Sequence, residues 1–360
     1  MTAYGKSILL MIALVASGPA TAAEFCVGTN ATLQQALMMA SSNGEADTIR
    51  IEAGTYTGSS AVAFAYSTSE DSSVSVSGGW YSIPPDQLCV RQVSNPGATV
   101  LSGSDTRQVL KLSGSASSSG TLSVSNLTIR DGFTSQQGAG LDIGGGAGFS
   151  GNIVVTRVIF DRNTSTTFGG GMKLYTEGIA NVRNNLFLLN RCSDGSCAFS
   201  FTVNATDPAT TRAFIGSNTI VGNACTSGAS CSNGGGRFGG SARALFYNNV
   251  FAANIASDIA LASFSGGSVD LYYNNYVSLS GTLPSQEVGN ISFANPGFVD
   301  LLNDDLRPTL DSPLRNAGTE DFVLSSLDLN GEARINEGRV DIGAYENIDR
   351  IFADSFELVE

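Results

Sequence analysis

The chain has 360 residues, a formal net charge of −13, no histidine, and charged side chains at only 14% of positions. Without histidine, a His-based catalytic triad and a histidine-ligated zinc site are both excluded. Beyond residue 23 only two lysines remain, Lys111 and Lys173, so the clustered basic face that nucleic-acid phosphates need is missing.

Residues 1–23 read as a secretory signal peptide: Lys6 gives a positive start, Ile8 to Val15 an apolar run, and Ala20-Thr21-Ala22 a small-residue cleavage site. No later segment approaches the roughly 20 continuous apolar residues of a membrane helix. The mature chain is therefore expected to be exported, with no transmembrane helix. Thr32 to Ser42 places apolar residues at helical spacing, with Thr or Asn as cap and Asn43-Gly44 as stop. Directly after it come Thr48-Ile49-Arg50-Ile51 and Gly54-Thr55-Tyr56, a first strand and its turn, so the helix is placed to cover the open end of a strand stack. Residues 74–112 add further short alternating strands bounded by Gly or Ser.

The middle of the chain repeats. Phe160-Asp161-Arg162-Asn163, Phe187-Leu188-Leu189-Asn190, Ile220-Val221-Gly222-Asn223 and Phe251-Ala252-Ala253-Asn254 set an apolar residue and an Asn three apart, and the Asn residues advance by 27, 33 and 31 positions. A unit of one short apolar strand and a turn cannot bury its own face, so successive copies must stack into an all-β solenoid. Aligning the coils on Ile129, Phe160, Phe187, Ile220, Phe251 and Val277 brings Asn185, Asn218, Asn249 and Asn275 to one site, where stacked amides can hydrogen-bond along the axis as a structural ladder. Nine or ten coils give a length of about 45 Å at one strand spacing each.

Six cysteines in an exported chain read as disulfides. Cys26 and Cys89 are expected to pair. For the other four, within-loop bridges (Cys192 to Cys197, Cys225 to Cys231) compete with inter-coil bridges (Cys192 to Cys225, Cys197 to Cys231); the first is favoured because each pair comes as a unit in one loop. Residues 300–360 hold 15 acidic and 5 basic side chains and form a distinct acidic end.

The helix followed by D-T-I-R-I-x-x-G-T-Y, with S-G-G-W, L-T-I-R-D-G and the F-x-x-N and Gly-Gly turns, resembles the right-handed, single-stranded parallel β-helix of the pectin lyase-like superfamily. The F-x-x-N turns are also similar to repeats of polymorphic outer-membrane proteins. Asp311-Ser312-Pro313-Leu314-Arg315-Asn316-Ala317-Gly318, Asp328-Leu329-Asn330-Gly331 and Val340-Asp341-Ile342-Gly343-Ala344-Tyr345-Glu346 resemble the closing module of choice-of-anchor Q proteins, which are exported β-helices. The resemblance implies a β-helix over 24–299, an acidic closing module over 300–346, and a tail over 347–360 that looks like a sorting signature of exported Gram-negative proteins. It places the protein outside the cell or on its outer surface.

β-Helices of this superfamily often cleave acidic polysaccharides, which takes a base beside a carboxylate and a cation for the enolate. The only charged cluster in the coils is Arg130, Asp131, Asp142, Asp161, Arg162 and Lys173, whose members align at a step of 31. That alignment sets Arg130 over Asp161, Asp131 over Arg162 and Asp142 over Lys173, which reads as mutual neutralisation between neighbouring strands. Asp328-Leu329-Asn330-Gly331 lacks a full calcium-loop pattern and reads as a β-turn. Tyr175, Phe199, Phe201, Phe264, Tyr272 and Tyr273 divide between core and sugar-stacking surface. The expected function is a non-catalytic scaffold for adhesion or binding of glycans on a cell surface, without cofactor or metal. The alternative is a polysaccharide lyase or glycosidase built on the charged cluster, and calcium enters only there.

Overall fold

A computed structural model describes residues 22–83, 87–207, 209–226, 233–264, 266–335 and 338–347. The expected signal peptide and sorting tail fall almost entirely outside them. Within them the chain is a parallel β-solenoid. One sheet follows ten strands from Glu24–Val27 to Gln286–Val288; a second has eight, from Val62–Thr68 to Leu279–Gly281; a third, of four short strands, starts at Phe133–Thr134. Neighbours in these three stacks pair parallel, as they must when each circuit returns one strand spacing further along the axis.

At one end sits the helix Asn30–Ala40, two residues earlier than its apolar spacing suggests. The shift has a local cause. Thr29 caps it by accepting from Thr32 N, while Thr32 Oγ1 accepts from Thr29 N, so two otherwise orphaned donors are satisfied before the apolar run begins. Leu33, Ala36, Leu37 and Ala40 face the core, and Gln34 makes a pair of hydrogen bonds with the backbone of Ala65 at the sheet edge.

Every second residue of each strand points inward, so the core is a stack of like side chains. Ile129, Phe160, Phe187, Ile220 and Phe251 are in-register neighbours, and the rings of Phe160 and Phe187 lie 4.7 Å apart at 10°. Phe199 and Phe201 belong to this core, Tyr175, Tyr272 and Tyr273 are half-exposed, and the Phe264 side chain lies outside the described residues.

Two rows of buried asparagines run along the axis. In one, which runs Asn163, Asn190, Asn223 and Asn254, each of the first three donates from Nδ2 to the Oδ1 of the next at 3.0 Å. The other runs Asn185, Asn218, Asn249, Asn274 and Asn290, with the same bond at 2.9–3.1 Å. The second Nδ2 hydrogen goes to a carbonyl of the neighbouring coil, and each next Oδ1 also accepts a backbone N–H, so the buried amides are satisfied within the stack. Asn275 is not the fourth member. The step from Asn249 is 25 residues, one shorter than the alignment used, so Asn274 takes the rung and Asn275 instead bonds the carbonyls of Phe251 and Phe293. The same slip puts Tyr276, rather than Val277, beside Phe251.

Residues after the last coil do not continue the stack. They turn back along the flank, where Leu306, Leu314, Leu329, Ile342, Ala344 and Tyr345 bury Leu186, Leu188, Val221, Val250 and Ala252. Polar anchors fix the strap at successive coils: Asn184 Nδ2 donates to Leu327 O (2.7 Å), Asn248 exchanges two hydrogen bonds with Thr319, and Ala344 N donates to Thr219 Oγ1 (2.9 Å). Inside the strap, Arg334 Nη1 lies 3.1 Å from the Glu346 carboxyl, with both side chains fully buried. Asp328 closes a turn with Gly331, and its carboxylate accepts from the backbone N–H groups of Glu332 and Glu346.

Cys26 is bonded to Cys89 and Cys192 to Cys197. Cys225 is also disulfide-bonded, while Cys231 lies outside the described residues. Cys225 Sγ stacks 3.5 Å from Cys197 Sγ, because neighbouring coils set the two loops one rung apart.

Candidate functional site

On the eight-stranded sheet the alternation that sends Leu110, Leu112, Leu141, Ile143, Met172 and Leu174 inward sends the residues between them outward. Register then puts Lys111, Asp142, Lys173, Ser200 and Arg237 side by side, one per strand. Asp142 sits between both lysines, with Oδ1 2.9 Å from Lys173 Nζ and Oδ2 3.6 Å from Lys111 Nζ. Lys111 is 43% exposed and Asp142 18%.

These three residues form part of the floor of a cleft of about 490 Å³. Its far wall is the loop layer carrying Thr134, Gln136, Gln137 and Thr167, and Gln108 closes the near side, its Nε2 held by the carbonyls of Gln137 and Gly138. The wall repeats with the floor, since Phe133–Thr134 pairs in register with Thr164–Ser165. Beside Ala61 and Val62, the lining side chains are amides, hydroxyls and these three charges, which suits a hydroxyl-rich ligand bearing negative groups. A smaller cavity of about 240 Å³ lies in the strap, where Arg307 is paired with Asp305.

The remaining charged candidates lie elsewhere. Arg130 and Asp161 end strands of the first, sixteen-stranded sheet, Asp131 and Arg162 open the turns that leave it, and none of the four lines the cleft. Arg130 and Asp161 are neighbours in register, yet their side chains do not pair across the rungs as aligned. Arg130 Nε reaches Asp131 at 2.9 Å, and Arg162 reaches Asp161 at 2.6 Å and Asp304 of the strap at 2.9 Å. The cause is the turn itself: Asp131 and Arg162 adopt left-handed backbone (φ 51° and 53°), which swings consecutive side chains to one side when a regular strand would separate them. Burial raises the Asp161 carboxyl above the usual range, with Arg162 opposing the rise.

The charged cluster of the sequence is thus divided between two faces. Lys111 was not part of it, although the step of 31 that links Asp142 to Lys173 also links Lys111 to Asp142. The sulfur atoms of Cys192, Cys197 and Cys225 converge, but all three are oxidised, so they offer no thiolate to a metal.

Neither a protein-family model nor a curated protein sequence matches the chain.

Proposed function

We propose that this protein is an exported β-solenoid, of the pectin lyase-like and choice-of-anchor Q type, that holds glycans at or near a cell surface without cleaving them. The observation that carries the reading is the cleft over Lys111, Asp142 and Lys173. It combines a long polar floor with hydrogen-bonding walls, and its single acid is engaged by two ammonium groups. An acid held this way is not free to take a substrate proton, because each of its oxygens already faces an ammonium group. Among the described residues no second acid lines the cleft to serve in hydrolysis by a carboxylate pair. The signal peptide at 1–23 would direct export, and the tail at 347–360 would sort the protein to the outer surface of a Gram-negative-type cell.

Purified protein is incubated with immobilised neutral and acidic polysaccharides, and retention is read beside the absorbance of unsaturated products. Retention without depolymerisation is expected, with affinity falling about ten-fold or more in the Lys111→Ala/Lys173→Ala double variant, the loss of two charge-assisted contacts. Product formation that Lys173→Ala abolishes would overturn the reading in favour of a lyase.

A further inference from the structure

The outward column of the open sheet is charged with a period of two rungs. Lys111, Lys173 and Arg237 stand on alternate strands, and Asp142 and Ser200 occupy the strands between them. Cations therefore recur every two strand spacings, about 9.6 Å. Arg237 makes no ion pair among the described residues, so the column ends in a cation free to meet a ligand.

We propose that the cleft, together with the outward column that runs on from it through Ser200 and Arg237, selects a glycan in which acidic and uncharged sugars alternate, lying along the solenoid axis; this rests on the glycan-binding reading above. A sugar unit in an extended chain advances by about one strand spacing, so successive sugars meet successive rungs. An acid on every second sugar then faces Lys111, Lys173 and Arg237, each as a charge-assisted contact. The uncharged sugars between them offer hydroxyl donors to the Asp142 carboxylate and bring no charge over Ser200, which is only 7% exposed. A polymer with an acid on every sugar sets one carboxylate against Asp142, and like charges at a recognition surface act against the wrong partner. A neutral polymer offers no carboxylate to any of the three cations.

Isothermal titration compares three hexasaccharides of equal length: hyaluronan, which alternates a uronic acid with an N-acetylated sugar; galacturonan, acidic at every unit; and neutral cellohexaose. The hyaluronan probe is expected to bind about ten-fold tighter than galacturonan. Asp142→Asn should narrow that gap by strengthening galacturonan binding, because the repelling charge is gone and the side-chain shape remains. Ser200→Lys, at the second gap in the column, should do the same independently, and thermal melting of both variants shows that the fold is kept. Galacturonan binding as tight as hyaluronan in the unmodified protein would overturn the alternation while leaving glycan binding in place. No binding of any of the three would overturn both.

Discussion

Two outward faces of one solenoid have opposite fates. On the flank formed by the strands Leu186–Leu188, Thr219–Val221 and Val250–Ala252, side chains pointing out of the coil are Leu, Val and Ala with the single polar Thr219, and the C-terminal strap buries them. On the eight-stranded sheet the outward side chains are Lys111, Asp142, Lys173, Ser200 and Arg237, and part of that column floors an open cleft. Coil geometry is the same for both. What differs is the chemistry placed at every second position, and it alone decides which face takes intramolecular cover and which is left for a ligand.

What the faces share is the asparagine stack, so the largest effect is expected there. In Asn218→Ala, the side-chain amide of Asn185 and the carbonyl of Val182 lose their partners in the interior. The expected cost is about 3–5 kcal/mol, since each buried unpaired group costs about 1–3 kcal/mol. A lowered urea midpoint, with both faces lost together, is the reading to look for.

The next perturbation should separate the faces. Val221 is 1% exposed beneath the strap, so Val221→Asp puts a charge where none is compensated, at a cost of about 2–4 kcal/mol. Limited trypsin digestion should then cut at Arg307 and Arg315 while the coils stay protected. Equal digestion of coils and strap would mean that the two do not respond separately.

Acidity sharpens the same contrast. Burial raises Asp328 and Asp341 and pushes Glu346 up to about 8 despite Arg334 beside it. Because these carboxyls hold protons more tightly folded than unfolded, their contribution is full in acid and is lost as pH rises toward about 8. Digestion of the strap should therefore be faster at pH 9 than at pH 5. Lys173→Ala stands at the other extreme. It removes one bridge to Asp142 on a solvent-facing sheet while Lys111 remains, so stability should change by about 1 kcal/mol or less.

The solenoid was legible because its signal is periodic. A Phe or Ile followed by Asn three residues later recurs at about thirty positions, and register from Ile129 to Phe251 follows directly. Periodicity failed at the coil after Phe251, one residue short, and so misplaced Asn275 for Asn274. The strap was legible as a distinct acidic segment but not in its location, because contacts such as Ala344 with Thr219 link residues 125 apart and follow no repeat. That location explains why the charges of Asp161-Arg162 give way to Leu188-Leu189 and Val221-Gly222: Leu188 and Val221 are under cover. The cleft was half legible. Asp142 and Lys173 were aligned, yet the walls depend on where the turns project, and the left-handed residues Asp131 and Arg162 redirect the other charges away from it.

Rung-by-rung register on the open sheet underlies both the stack and the spacing of its charges, and a distance measurement tests it directly. Nitroxides on Lys111→Cys and Arg237→Cys report it, since no cysteine of the described chain is free to take a label. Four strand spacings predict a narrow distribution centred near about 19 Å between the labelled backbones. A broad distribution, or one centred at twice that separation, would contradict the stacked register.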